Sequence, residues 1–189
     1  PNFVDQYHAS EITNSDGSFF IHDGLSWPSP YNRDCWQYMV DYCKEAAELG
    51  VNEIQFDYVR FPDGIGGKNL DLKNQYNESK IQAIQGFLYY AREQLHERNC
   101  YLSADVFGWN MICGDDENIG QFIPAIATVV DAICPMSYPD HFNSNSFGMK
   151  YPWQHPQELQ TAFTIKSLEV LNSVEEPAIY RCWIQGYDV

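Results

Sequence analysis

The segment 51–62, with the sequence VNEIQFDYVRFP, constrains the fold of this chain more than any other stretch. Ile54, Phe56 and Tyr58 alternate in it with polar residues, which is the period of a β-strand whose two faces meet different surroundings. A helix pattern precedes this strand and another follows it, so the predicted setting is a parallel sheet covered by helices. Strands buried in such a sheet are usually apolar on both faces. The polar face, which carries Asp57, therefore predicts a cluster of polar groups at the carboxyl end of the strand, where barrel enzymes hold their chemistry.

The alternation of a helix pattern with a strand pattern recurs along the whole chain and predicts an α/β fold. Residues 1–32 show little periodicity and are predicted to be a long loop segment that leads into a single domain spanning residues 1–189. Four strands make half of a TIM-type (β/α)₈ barrel, which needs about 250 residues, so the prediction is a partial barrel. A doubly wound open sheet is the structural alternative, but the chain has no dinucleotide fingerprint. The helix patterns cover about 33–49, 77–96, 124–129 and 156–171, and the strand patterns cover 51–62, 101–107, 131–139 and 178–185.

The charge of the chain limits its partners. Eleven Lys and Arg residues stand against 26 Asp and Glu residues, which gives a net charge of −15. Nucleic acids and anionic membrane surfaces favour the opposite sign, so a neutral substrate is predicted instead. No apolar run approaches the roughly 20 residues of a membrane span, and no membrane contact is predicted within this segment. Because the chain starts at Pro1 without a basic and then apolar leader, we expect it to be an excerpt of a longer one.

Signals for a metal or a cofactor are weak, and none is predicted. The six cysteines lack CxxC spacing and are interpreted as small buried residues, with a disulfide framework or a metal site as the alternatives. The five histidines show neither HxH nor HExxH spacing. The segment 64–69 resembles a phosphate loop but lacks the GxxxxGK[ST] spacing, which favours a plain loop. The acidic run at 115–117 is more typical of a solvated loop than of a cation site.

Two aspartates occupy equivalent places on consecutive strands. Asp57 and Asp105 are each the last acidic residue on a polar strand face, and an aromatic residue follows each within two positions. Adjacent parallel strands lie about 4.8 Å apart, so the two carboxylates can approach, and repulsion then raises the pKa of one of them. Glycoside hydrolysis uses such a pair, separated by about 5–5.5 Å for retention and about 6.5–9.5 Å for inversion. The alternative is that each aspartate caps a turn or pairs with Arg60 or Arg181.

Aromatic residues cluster at the strand ends and in the loops that follow them. Pyranose rings stack on aromatic faces that carry a few fixed polar groups nearby, so this distribution favours a sugar substrate. Each ring taken alone is more typical of packing. The residues concerned are Trp27, Tyr31, Tyr58, Phe61, Trp109, Tyr138, Trp183 and Tyr187.

Several motifs together resemble a bacterial glycoside hydrolase domain family that is related to the alpha-amylase-type (β/α) barrels. The resemblance extends from about residue 13 to the end of the chain and implies that the four strands are strands 4–7 of a barrel, with the other strands outside this segment. By analogy with alpha-amylase-like barrels it implies that Asp57 is the nucleophile and Asp105 the general acid/base, in a secreted or cell-envelope protein. Cys182 and Gly186 depart from the family pattern. The motifs are PYN at 30–32, EIQFDYVRFP at 53–62, LSADVFG at 102–108, IGQ at 119–121, PMSYPDH at 135–141, SFG at 146–148, HP at 155–156 and WIQ at 183–185.

These observations predict a glycoside hydrolase that acts on a microbial or cell-envelope polysaccharide with Asp57 and Asp105 as its catalytic pair. A noncatalytic glycan-binding or envelope scaffold is the alternative. A metal-dependent polysaccharide deacetylase is a third hypothesis and would need a cluster of His and Asp residues. The expected partners are a carbohydrate and the remaining barrel strands of the parent chain. The predicted substrate contacts are Tyr58, Arg60, Tyr138, His141, Trp183 and Gln185.

Overall fold

A computed structural model describes residues 10–187 of the chain. These residues form two compact units. The first unit comprises residues 10–54, 60–101 and 117–120, and the second comprises residues 55–59, 102–116 and 121–187. Among residues 10–187, none of the helices has the length and the apolar character that crossing a bilayer requires. Asp57 and Asp105 both belong to the second unit.

From residue 33 onward the predicted alternation of helices and strands is interrupted by one additional two-residue strand and by two short helices in succession. The strands are β1 (Thr13–Asn14), β2 (Ile21–His22), β3 (Leu25–Ser26), β4 (Glu53–Phe56), β5 (Leu70–Asp71), β6 (Tyr101–Phe107), β7 (Ala132–Met136) and β8 (Ile179–Tyr180). The helices are α1 (Arg33–Glu48), α2 (Lys80–His96), α3 (Gly108–Cys113), α4 (Ile123–Ala127) and α5 (Pro156–Leu171), and short 3-10 turns occupy Pro139–His141, Ser146–Gly148 and Pro152–Gln154.

The main sheet has the order β4-β6-β7-β8. Strands β6, β7 and β8 run parallel, and an isolated parallel bridge between Met136 and Trp183 continues the pairing beyond β8. Asp105 of β6 lies opposite Cys134 of β7, so the two side chains share one face of the sheet. The predicted α/β fold with a parallel sheet is therefore confirmed.

Some predicted boundaries are correct and others are not. The predicted bounds of β6 and α5 are confirmed at both ends, and Pro156 occupies the first turn of α5, where its missing N–H costs nothing. Strand β4 is shorter than the predicted 51–62, since the backbone turns at Tyr58 with a φ of 53°. Helix α2 begins after Ser79 and not after Asn77, because Ser79 and Gln82 form a reciprocal capping box. Helix α3 was not predicted.

The segment before α1 is more ordered than its sequence pattern indicates. Its described part holds β1, β2 and β3; β1 pairs antiparallel with β5, and β2 pairs antiparallel with β3. Ile12 and Phe20 from this segment pack with Ile65 in a small buried cluster. Alternation over two residues is too short to be recognised in a sequence, which is why these strands were predicted as loop.

Helices α1 and α2 each bury one face. The Asn32 side chain caps α1 by accepting hydrogen bonds from the N–H groups of Asp34 and Cys35. None of the six cysteines forms a disulfide, and four of them are buried. The buried positions on the two helices are Cys35, Val40, Cys43, Ala47, Ala83, Ile84, Leu88, Ala91 and Leu95.

Among the glycines of the second unit, Gly108 is the one that least tolerates an added side chain. It directly follows β6, and a Cβ atom there would lie 2.6 Å from the carbonyl oxygen of Met136. We expect Gly108→Ala to lower the free energy of unfolding by about 1–3 kcal/mol, because the neighbouring backbone must move. Urea unfolding followed by circular dichroism measures this change. Gly66→Ala is the matched control, since a Cβ at Gly66 meets no atom within 4 Å; equal stability of the two variants would contradict the prediction.

Candidate active site

The carboxyl ends of the main sheet carry the predicted site residues of the second unit. Asp57 follows β4 by one residue, Asp105 lies near the end of β6, and Tyr138 follows β7 by two residues. Trp183 is paired with the last residue of β7 by the parallel bridge. Because the strand ends of a parallel sheet meet along one edge, the topology collects these residues there.

Asp105 is buried, with 6% of its surface exposed, and its carboxylate is held by two side chains. Gln55 Nε2 donates to Asp105 Oδ1 at 2.7 Å, and the indole Nε1 of Trp183 donates to the same oxygen at 2.8 Å. Burial raises the pKa of Asp105 above its ordinary value, and the charge of Asp57 raises it further. The two hydrogen bonds and the charge of Arg181 oppose this rise without cancelling it. Asp105 is therefore the carboxyl group suited to hold a proton.

Asp57 is exposed, in contrast to Asp105. Its Oδ1 accepts a hydrogen bond from the backbone N–H of Tyr58 at 2.7 Å. Tyr58 has a φ of 53°, a left-handed conformation that is uncommon for residues other than glycine and is found often at functional sites. This turn ends β4 and leaves the Asp57 carboxylate accessible to a ligand.

Tyr138 lies near both carboxylates. Burial raises the pKa of its hydroxyl, and the charges of Asp105 and Asp57 raise that pKa further. The charge of Asp57 also acts on Asp105. Three predicted site residues from three strand ends thus share one electrostatic environment, as a paired-carboxylate site requires.

Gln121 connects the backbones that carry the two aspartates. Its side chain is buried; Nε2 donates to the carbonyl oxygens of Asp105 at 3.3 Å and of Val59 at 3.4 Å. Its Oε1 accepts a hydrogen bond from the backbone N–H of Phe107 at 3.0 Å. One amide therefore holds the end of β6 next to the segment that follows Asp57. The only sequence signal for Gln121 is its place in the IGQ motif.

Three aromatic side chains, those of Tyr138, His141 and Tyr187, form a rim next to the carboxylates of Asp57 and Asp105. The Tyr138 ring makes edge contacts with His141, at 5.2 Å between ring centroids, and with Tyr187, at 6.0 Å. The side-chain amide of Gln185 accepts a hydrogen bond from the Asp140 N–H at 3.4 Å and donates to the Tyr187 carbonyl oxygen at 3.3 Å. Gln185 thus holds the two segments of the rim together.

Arg60 lies in the first unit, unlike the other predicted substrate contacts. Its side chain is buried, and Nη1 donates to the carbonyl oxygen of its neighbour Phe61 at 3.1 Å. Its guanidinium group also lies 3.6 Å from Asp63 and 5.3 Å from the centroid of the Trp27 ring. The guanidinium group of Arg60 is therefore already engaged by other residues of the protein.

Two of the aromatic residues at strand ends and in loops are core residues. Tyr31 and Phe61 are buried, and their ring centroids lie 4.7 Å apart. Their place near a strand end and in a rigid loop suited sugar stacking, but packing against each other removes both rings from the surface. For these two residues the packing interpretation, which the sequence favours for each ring taken alone, applies.

Three residues around Asp105 were not among the predicted site residues. They are Gln55, Cys134 and Arg181, and Arg181 Nη2 lies 3.7 Å from the Cys134 sulfur. Burial raises the pKa of the Cys134 thiol, and Arg181 opposes this rise. Gln55 carries the one available sequence signal, since it shares the polar face of β4 with Asp57. Within residues 10–187, no three His, Cys, Asp or Glu side chains are grouped so that they could hold a metal ion.

The family model described as "Putative glycosyl hydrolase domain" matches residues 2–189. None of the curated proteins compared with the chain matches it.

Two solved structures resemble parts of the chain. A hypothetical protein from Ruminiclostridium thermocellum is 37% identical over 56% of this chain and 53% of its own, with a TM-score of 0.48. The glycoside hydrolase domain of PgaB (BpsB) from Bordetella bronchiseptica is 14% identical over 90% of this chain and 62% of its own, with a TM-score of 0.53. The chain thus spans little more than half the length of these structures, and the second likeness concerns the fold.

Proposed function

Because the chain belongs to the family described as "Putative glycosyl hydrolase domain", we propose that it cleaves glycosidic bonds with Asp57 as nucleophile and Asp105 as general acid/base. The observation that carries this proposal is the contrast between the two aspartates. Asp105 is buried with a raised pKa, whereas Asp57 is exposed at a strand end. Opposite environments for two neighbouring carboxyl groups are what an acid and a nucleophile need in order to act at the same pH.

In the first step of this mechanism, Asp105 donates its proton to the glycosidic oxygen while a carboxylate oxygen of Asp57 attacks the anomeric carbon. The bond between that carbon and the leaving oxygen breaks, and its electron pair goes to the oxygen that receives the proton. The products are a glycosyl ester on Asp57, the protonated leaving sugar and a negative charge on Asp105. The Trp183 and Gln55 N–H groups already point at the carboxylate on which this charge develops.

In the second step, the Asp105 carboxylate takes a proton from water, and the resulting hydroxide oxygen attacks the anomeric carbon. The ester bond to Asp57 breaks, which returns both side chains to their starting states with net retention of configuration. A raised pKa suits Asp105 to both steps, since the group must release a proton and then accept one.

We propose that the main sheet is half of a (β/α)₈ barrel, with β4, β6, β7 and β8 as barrel strands 4–7. The sequential order of the strands and the parallel pairing support this assignment. So does the fold likeness to the PgaB glycoside hydrolase domain. The other strands would then come from polypeptide outside these residues.

The proposed substrate is a neutral microbial or cell-envelope polysaccharide, and the proposed location of the domain is outside the cytoplasm. The acidic character of the chain disfavours polyanionic glycans. Tyr58, Tyr138, His141 and Trp183 are proposed to contact the sugar, and Tyr58 and His141 expose more than half of their side chains. Arg60 and Gln185 are less suited to this role, because their polar atoms bind other parts of the protein.

The test is the release of new reducing ends from a panel of neutral and acidic microbial polysaccharides, with and without a chelator. We expect a neutral glycan to release new reducing ends, and the chelator to have no effect on this release. Proton NMR should show that the sugar first released has the same anomeric configuration as the linkage that was cleaved. Glycan binding without any product would favour the noncatalytic scaffold. Loss of activity with the chelator, together with release of acetate, would favour the deacetylase.

A further inference from the structure

The two hydrogen bonds to Asp105 end on the same oxygen. Gln55 Nε2 lies 2.7 Å and Trp183 Nε1 lies 2.8 Å from Oδ1. A carboxylate oxygen offers two lone-pair directions, and these donors use both. Among the described residues, Oδ2 accepts no hydrogen bond. The two oxygens of Asp105 are therefore not equivalent.

This asymmetry determines where a proton can reside. A hydrogen atom on Oδ1 would point at one of the two N–H groups and would displace it, leaving a donor near a buried carboxyl group unpaired. A proton on Oδ2 displaces nothing. The structure therefore favours Oδ2 as the protonated oxygen and Oδ1 as the oxygen that stays fixed.

The two donors are themselves held in place. The backbone N–H of Trp183 donates to the Pro135 carbonyl oxygen at 3.0 Å, and the buried Ser137 Oγ donates to the Trp183 carbonyl oxygen at 3.2 Å. Gln55 lies on β4 two residues before Asp57, on the same face of the strand. The donors are thus fixed to the strands on either side of Asp105, at the sheet edge that holds the site.

We infer that Trp183 and Gln55 are positioning residues that fix Oδ1 of Asp105, so that Oδ2 is the oxygen that gives and takes the proton. Trp183 then acts through Asp105 in addition to its proposed contact with the sugar. This assignment rests on the proposed function for its catalytic meaning, but the hydrogen bonds act on the titration of Asp105 whether or not a substrate is present. The titratable and charged groups that face Asp105 are Asp57 after β4, Cys134 of β7, Tyr138 after β7 and Arg181 after β8.

The test is a titration of Asp105 without substrate, by carbon-13 NMR of the side-chain carboxyl groups in the full chain. The Asp105 resonance is identified by its loss in Asp105→Asn. Both hydrogen bonds favour the charged form, so Trp183→Phe, which keeps the ring and removes the N–H, is expected to raise the pKa of Asp105. Gln55→Met is expected to raise it as well. Trp153→Phe is the matched control, because Trp153 lies on the 3-10 turn Pro152–Gln154 and its ring contact is with Tyr151.

A pKa of Asp105 that stays the same or falls in both variants would overturn the inference. Gln55 is exposed, so Gln55→Met keeps the test valid if Trp183→Phe does not fold. With a substrate identified, Trp183→Phe is expected to lower kcat by about 10- to 100-fold, the loss of one hydrogen bond to a charged group. The alkaline limb of the pH profile should move to higher pH. An increase of KM alone, with an unmoved pH profile, would identify Trp183 as a substrate contact instead.

The two proposals can fail separately. If no glycan is hydrolysed but the pKa of Asp105 rises in both variants, the positioning role stands and the proposed hydrolysis is wrong. If hydrolysis occurs and the pKa does not rise, the hydrolase stands and the assignment of the oxygens is wrong.

Discussion

Asp57→Asn is expected to lower kcat by on the order of 10⁴-fold or more, the range found when a covalent nucleophile is removed. An amide oxygen is a far weaker nucleophile than a carboxylate, so the glycosyl ester cannot form at a useful rate. Because Asp57 is exposed and its contact with the Tyr58 N–H can be kept by the Asn side-chain oxygen, the fold should be unaffected. Single-turnover kinetics with the glycan found in the hydrolysis test measures the loss, and thermal unfolding checks the fold.

Two further measurements make this prediction specific. Asp23→Asn removes the same charge from an aspartate whose side chain is 91% exposed in the first unit, and it should leave kcat unchanged. Asp57→Asn should also lower the pKa of Asp105, since the charge of Asp57 raises that pKa. This shift is opposite in sign to the one expected for Trp183→Phe. Retained turnover in Asp57→Asn would contradict the assignment of the nucleophile.

The sequence predicted those parts of the fold that depend on periodicity and on strong local signals. Strand β6 alternates over its whole length, and α5 begins at a proline, so both were located correctly. The family resemblance is also confirmed, because it depended on a long motif and not on composition. The end of β4 was predicted too late, because a left-handed residue such as Tyr58 leaves no trace in an alternating pattern.

The surroundings of the aspartates could be predicted only in part. Position on a strand indicated that Asp57 and Asp105 lie at one sheet edge, which the shared electrostatic environment supports. It could not indicate that Gln55 and Trp183 meet on one oxygen, because that contact joins residues 128 positions apart through the fold. Nor could it separate a stacking ring from a core ring, as Tyr31 demonstrates. Contacts between distant residues decide these questions.

The raised pKa of Asp105 also predicts the pH dependence of activity. Burial and Asp57 raise the pKa, so Asp105 stays protonated to a higher pH than an ordinary aspartate. Activity that needs the protonated acid is present below this pKa and is lost as the pH rises through it. The alkaline limb of kcat/KM should therefore coincide with the pKa of Asp105 measured by NMR in the free enzyme. If the alkaline limb does not move in variants whose Asp105 pKa has changed, the limb reports the titration of another group.

Asp105→Asn is expected to lower kcat on a natural glycan by roughly 10²- to 10⁴-fold, the usual contribution of a general acid/base. The size of the loss should depend on the leaving group. An aryl glycoside whose phenol is a strong acid needs no proton to depart, so the first step should remain fast in this variant. The second step still lacks its base, and the glycosyl enzyme should accumulate as a burst.

Azide then separates the roles of the two aspartates. It is a nucleophile that needs no base, so it should restore turnover of the aryl glycoside by Asp105→Asn and yield a glycosyl azide of retained configuration, because two displacements have occurred. In Asp57→Asn, azide takes the place of the missing carboxylate in a single displacement, and the product should have the inverted configuration. If Asp105→Asn gave the inverted azide and Asp57→Asn gave the retained azide, the two aspartates would have the opposite roles. Asn at position 105 keeps an oxygen that can accept the Gln55 and Trp183 hydrogen bonds, so a loss of fold is not expected to cause these differences.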